Sequence, residues 1–227
     1  MGAAVDADAA TVALFAPLPA AVFRCVADGS HLELLDAVEA AETAPMAPRR
    51  AAEFAAGRIC AHRGLAALGR DGAPITRGGR GEPVWPATVS GSISHTHGLC
   101  MAVVVDRAEA LVGIDVEEVA RVQPAIARRV LTEAEQHTLT GRSSTEAQQR
   151  LATVFAAKEA FYKAYFQLDP RYLGFDVIEV EVHEDGRLDL APGVPGAVAA
   201  DVLASTTARF RLEHGRVIVA VWIPSAP

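Results

Sequence analysis

Short apolar runs punctuate this chain and predict strands at Val12–Phe15, Ala21–Val26, Leu99–Val105, Leu111–Glu117, Val177–Val182, Ala208–Leu212 and Val217–Ile223. Ala-rich stretches with apolar positions three and four apart predict helices over 31–44, from about Arg49 to Leu68, across 121–150, and through Phe155–Phe166. Pro17 and Pro19 divide the first two runs; Pro45 and Pro48 end the first helix, and Pro48 suits the first turn of the next. Between 70 and 86 the breakers Asp71-Gly72, Gly78-Gly79-Arg80-Gly81, Pro83 and Pro86 predict a loop. Thr132 ahead of Glu133 and Glu135 reads as an N-cap, and Gly141–Thr145 as a loop. Turns are expected at Glu184-Asp185-Gly186 and His214-Gly215. No repeat is visible, yet each half pairs one long helix with a few strands. The expected fold is therefore α+β, in two similar lobes spanning 1–110 and 111–227, each a long helix on a small, mostly antiparallel sheet.

Composition changes this picture little but excludes several functions. About half of the 227 residues are apolar, enough for a real core. The net charge of −7 and the lack of a basic tail argue against nucleic acid. Cys25, Cys60 and Cys100 have no zinc spacing and read as small buried hydrophobes of a reducing cytosol. No run is long enough to span a bilayer, so no membrane partner is expected. The start has acids and no basic region; Met1-Gly2 opens a myristoylation-like pattern, but Asp6 stands where Ser or Thr is wanted. These features together predict a cytoplasmic chain.

Candidate chemistry lies in three places. Phe155, Glu159, Tyr162, Lys163 and Phe166 share one side of their helix, so a carboxylate and an ammonium lie among aromatics. An ordinary i,i+4 pair gives the same spacing. In 111–117, Gly113, Asp115 and Glu117 share one strand face, which suits a hard cation or simply a polar face. In the second helix Arg50, Phe54 and Arg58 recur every four residues, with Arg77 and Arg80 beyond. Guanidinium forks suit phosphate, although a solvated basic face would look alike. The loop at Gly78-Gly79-Arg80-Gly81 lacks the Gly-Lys-Ser/Thr ending of a P-loop but could bring backbone N–H groups to an anion. His95 and His97 could ligate zinc, but no third ligand stands at a telling spacing.

Gly113-Ile114-Asp115-Val116-Glu117 and Phe155-Ala156-Ala157-Lys158-Glu159-Ala160-Phe161-Tyr162-Lys163 together resemble the paired signature of the 4′-phosphopantetheinyl transferases. The Arg50/Phe54/Arg58 helix, Gly81–Pro86, Gly91–His95 and Leu173-Gly174-Phe175 resemble the enterobactin-synthase-component branch, which includes the actinobacterial enzymes. The blocks cover roughly 48–175 in order, with Ala156 where the family usually has Ser, Cys or Thr. The resemblance implies a two-lobed, pseudo-symmetric fold with coenzyme A between the lobes; a fused two-lobe chain can complete such a site as a monomer. It implies Mg²⁺-dependent transfer of phosphopantetheine from coenzyme A to a serine of an apo acyl or peptidyl carrier protein, releasing 3′,5′-ADP.

It further implies Asp115, Glu117, Glu159 and the Val116 carbonyl around the metal, Glu159 as base, and Lys163 at the departing phosphate. His95 and Ser94 would bind phosphates, with His95 also catalytic. Arg50, Arg58 and the Arg77-Gly78-Gly79-Arg80 loop would hold the 3′-phosphate and adenine end, and Lys158 and Leu173 would touch the ligand. The N-terminal lobe would thus supply coenzyme A binding and the C-terminal lobe the metal and catalytic groups. Two rival functions are a non-catalytic coenzyme A or nucleotide-binding module and a Mg²⁺-dependent phosphoanhydride hydrolase.

Overall fold

A computed structural model describes residues 4–70 and 72–225. The Met1-Gly2 pair and Asp71 lie outside them. The chain forms two compact units, Met1–Val112 and Gly113–Pro227.

In the first unit, strands β1 (Val5–Ala7), β2 (Ala21–Val26), β3 (Val89–Thr96) and β4 (Leu99–Asp106) form an antiparallel sheet in the order β1-β2-β4-β3. Helices α1 (Ala9–Val12) and α2 (Ala37–Glu42) are short, and α3 (Pro48–Ala67) is long. The run Val12–Phe15, expected as a strand, is helical: α1 passes into a 3₁₀ turn over Ala13–Phe15. The cause is Asp8, whose carboxylate accepts the N–H of Thr11 at 3.0 Å and its hydroxyl at 2.8 Å. An apolar run of four residues carries no period that could have told the two apart.

Helix α3 begins with Pro48 at its first turn and buries a face of Ala, Gly and Cys against the sheet. A methyl group on Gly57 would stand 2.7 Å from Cγ2 of Ile93, and one on Gly64 would overlap Val104, so glycine allows the close approach. Cys25, Cys60 and Cys100 are buried free thiols that converge in this core, with the sulfurs of Cys60 and Cys25 3.3 Å apart. Residues 72–86 form a loop, as expected, tightened by a bridge between Arg77 and Pro83.

The line between the units falls within β5 (Ala110–Glu118). In the second unit the sheet order is β5-β9-β8-β7-β6, from β6 (Ile178–Val182), β7 (Arg187–Pro192), β8 (Thr207–Glu213) and β9 (Arg216–Pro224). The region 121–150, expected to be one helical stretch, is broken into α4 (Ala127–Val130), α5 (Glu133–His137) and the start of α6 (Ser144–Tyr165). Pro124 and Gly141, the latter at φ +80°, interrupt it. Thr132 caps α5 with a capping box closed by Glu135, and Ser143 caps α6 with another closed by Glu146. A short helix α7 (Ala200–Ser205) precedes β8, and the β8–β9 hairpin turns at His214 and Gly215, both at positive φ. Helix α6 packs along β9, whose residues Val217–Ile223 are buried. Each unit is thus α+β, one long helix on a sheet whose registered strand pairs are antiparallel. Among the described residues no helix is long and apolar enough to cross a membrane.

Candidate active site

The second unit brings the strand acids and the helix acid together. Gly113 faces α6 so closely that a methyl group there would overlap the carbonyl oxygen of Ala160 and stand 3.0 Å from the amide of Ala164. Two residues on, Asp115 therefore lies beside the same helix. Its Oδ1 receives the Lys163 ammonium at 2.6 Å, and Lys163 also donates to the Ile114 carbonyl at 3.2 Å. Residues 110–116 are buried on both faces, which excludes a plain solvated strand face for Asp115.

Glu159, Lys163, Phe155, Tyr162 and Phe166 are all half-buried, along the border of the buried face of α6. Burial raises the carboxyl of Glu117 to about 7, helped by Asp115 and Glu159 and opposed by Lys163. Burial likewise raises Glu159, with Lys163 opposing and Asp115 adding. Asp115, Glu117 and Glu159 thus repel one another, with Lys163 as their counter-charge. That donor set suits a hard divalent cation, which takes carboxylate oxygens and would relieve the repulsion. The three have not closed on a point. Among the described residues, the group whose ligand atoms all lie within 4.8 Å of one another is a different one, Glu181, His183 and Asp189. Val116 sits mid-strand with its side chain buried.

The close approach at Gly113 yields a first expected result. In Gly113→Ala the obstacle is helix backbone, which cannot rotate away, so strand and helix must separate. Such overpacking costs about 1–3 kcal/mol. A shift of about 1 Å between Asp115 and Lys163 should lower turnover by roughly 10²-fold. Thermal melting and steady-state kinetics would check both.

In the first unit Arg50 and Arg77 lie within the electrostatic reach of Arg58. Arg58 is 5% exposed, and its guanidinium lies 4.3 Å over the Phe54 ring. Burial lowers it to about 10; Glu39 and Glu42 oppose this, while Arg50 and Arg77 add to it. Its Nε is buried without a hydrogen-bond partner. A buried fork short of a partner among like charges fits an oxyanion. Arg50 Nη1 meets His95 Nε2 at 2.6 Å, so that nitrogen accepts and the ring proton belongs on Nδ1, which faces Glu53 at 3.6 Å. Ser94, next to His95 on β3, is buried.

Two of the expected ligand contacts already have partners within the chain. Lys158 is 3% exposed, and its ammonium donates to the Val130 carbonyl at 3.0 Å, the Phe175 carbonyl at 2.7 Å and Glu135 at 2.7 Å. An ammonium has three N–H groups and all three have internal acceptors, so Lys158 ties the helix to its neighbours while its side chain also lines the cavity beside Glu159. The Gly78–Arg80 loop is likewise committed to itself. Gly78 N–H bonds the Glu82 carbonyl at 2.7 Å, Arg80 N–H the Glu82 carboxylate at 2.9 Å, and Gly81 N–H the Gly78 carbonyl at 3.0 Å. The amides of Gly78 and Arg80 are therefore not an open anion nest.

Leu173 walls a cavity of about 230 Å³ with Lys158, Glu159, Tyr162, Tyr172 and Phe175, so the two expected ligand contacts Lys158 and Leu173 share one cavity. The sequence did not single out Tyr162 or Phe175 as its lining. Tyr162 packs on Phe166 at 5.7 Å, and Phe175 on Phe155 at 5.7 Å.

These features define an α+β protein with a buried guanidinium within reach of other arginines in one unit and a carboxylate–ammonium group in the other. The family model for the 4′-phosphopantetheinyl transferase N-terminal domain matches residues 38–105, and that for the 4′-phosphopantetheinyl transferase superfamily matches 111–220. The 4′-phosphopantetheinyl transferase Svp of Streptomyces mobaraensis is 34% identical, over 84% of this chain and 79% of its own. PptT of Mycobacterium tuberculosis is 33% identical, over 90% and 95%. Enterobactin synthase component D of Escherichia coli K12 is 35% identical, over 62% and 69%. The chain belongs to the 4′-phosphopantetheinyl transferase superfamily and is a transferase of that class.

Proposed function

We propose that this chain transfers 4′-phosphopantetheine from coenzyme A to a serine of an apo acyl or peptidyl carrier protein, releasing 3′,5′-ADP, with Mg²⁺. The observation that carries this reading is the mutual coupling of Glu159, Asp115 and Lys163 across strand and helix. Asp115, Glu117 and Glu159 would hold the ion, with the Val116 carbonyl at its edge. Bound there, Mg²⁺ would supply charge neutralisation to the pyrophosphate. Glu159 takes the serine proton, directly or through a water, since an unassisted hydroxyl is a poor nucleophile. The Lys163 ammonium, held by Asp115 and the Ile114 carbonyl, neutralises or protonates the departing phosphate. Arg50, Arg58 and Arg77 take the 3′-phosphate. His95 and Ser94 belong with the phosphates; an anion that claims Arg50 also changes the partner of His95. The cavity at Leu173 lies beside Glu159 and suits the pantetheine side of the donor. All these groups are on one chain, so a monomer suffices. Three buried free thiols fit the cytoplasm.

The test is to incubate the protein with coenzyme A, Mg²⁺ and an apo carrier and to weigh the carrier. A phosphopantetheine mass increment supports the transferase. Free 3′,5′-ADP with an unmodified carrier would point to a hydrolase, and neither product to a binder. For the phosphate role, Arg50 is the cleaner probe, because Arg58 also packs on Phe54. Arg50→Ala should raise the KM for coenzyme A roughly 10- to 100-fold, the worth of a charge-assisted bond, and leave kcat nearly unchanged. An unaltered KM would remove Arg50 from the phosphate site.

A further inference from the structure

The loop that carries Arg77 is held by two acids with no part in the chemistry above. Glu39 and Glu42 stand one turn apart on α2, and each accepts a loop amide: Ile75 N–H to Glu39 at 2.8 Å, Arg77 N–H to Glu42 at 2.9 Å. Glu39 is fully buried and also pairs with His62 Nε2 of α3 at 2.8 Å. Burial alone would raise its carboxyl, but the bonds from His62 and Ile75 outweigh it and hold the group below the ordinary range. The second oxygens of Glu39 and Glu42 have no hydrogen-bond partner among the described residues, nor has Nε of Arg58, and both acids act electrostatically on that guanidinium. The two acids therefore tie the loop backbone and balance the buried arginine at once. A merely structural tie would not need to place two carboxylates in the field of a ligand-type guanidinium.

We propose that Glu39 and Glu42 are positioning residues: they fix the path of Ile75–Arg77 so that Arg77 joins Arg50 and Arg58 in one phosphate receptor, and so set the preference for coenzyme A over 3′-dephospho-coenzyme A. This rests on assigning those arginines to the 3′-phosphate. Glu42 is the better test, because Glu39 is buried and its loss endangers folding.

Glu42→Ala should raise the KM for coenzyme A about tenfold, a usual size of coupling between groups in contact. The KM for dephospho-coenzyme A and both kcat values should stay near wild type. Glu42→Gln keeps an acceptor oxygen for the Arg77 amide and should recover most of the loss. In an Arg77→Ala background, Glu42→Ala should add little. Equal changes in both KM values, an unchanged ratio, or full additivity with Arg77→Ala would overturn the proposal. Should Glu42→Ala fail to fold, Glu42→Asp, one methylene shorter, must shift the ratio in the same direction. A wild-type enzyme that treats the two substrates alike would remove the receptor itself and both readings with it.

Discussion

Glu159→Gln is expected to fold normally and to transfer phosphopantetheine about 10²- to 10⁴-fold more slowly than wild type. The side chain is half-buried, one turn from Lys163 and within the field of Asp115. An amide fills the same space but cannot take the serine proton, and it is a poorer metal donor. Removing the charge also removes repulsion from Asp115, so melting without metal should occur no lower than in wild type. Carrier mass gain over time measures the first effect, and thermal melting the second. Turnover within about threefold of wild type would take the base role away from Glu159.

Lys158→Met should act in the opposite way, on stability first. Its ammonium ties α6 to the Val130 and Phe175 carbonyls and to Glu135, which is 4% exposed. Glu135 in turn accepts Val180 N–H at 2.8 Å and Thr132 N–H at 2.8 Å, so one carboxylate joins α5, α6 and β6. Removing one partner of a buried pair leaves a bare charge and costs about 3–5 kcal/mol. In a chain of this size that lowers the melting temperature by roughly 10 °C. Adding Glu135→Gln should regain only part of the loss, because the amide removes the naked charge but its single acceptor oxygen can keep just one of the two backbone N–H bonds, which go to different oxygens of Glu135. A ligand-contacting Lys158 would behave otherwise, with unchanged melting and a raised KM for coenzyme A.

The difference between Lys158 and its neighbour Glu159 shows what the amino-acid order reveals. Glu159 and Lys163 are local: four residues on one helix fix their common side, and alternation does the same for Gly113, Asp115 and Glu117. The partners of Lys158 are not local. Val130 and Glu135 lie 28 and 23 residues upstream and Phe175 17 downstream, so no spacing identifies its three acceptors. The glycine loop misled for a related reason. Its composition permits an anion nest, but Glu82, at the loop's end, turns back and takes the amides. Glu39 and Glu42 escaped notice because α2 reads as an ordinary acidic helix until the loop folds onto it. Long helices and sheet strands were legible from periodicity; the short α1 was not, since its one signal was the cap at Asp8.

One cation shared by a strand acid and a helix acid is the claim on which the chemistry hangs. Titrating Mn²⁺ in place of Mg²⁺ in the presence of coenzyme A, with free Mn²⁺ followed by electron paramagnetic resonance, tests it directly. Wild type should bind one equivalent, and Asp115→Asn and Glu159→Gln should each bind it at least about tenfold more weakly. Wild-type affinity in either variant would contradict a site built from both.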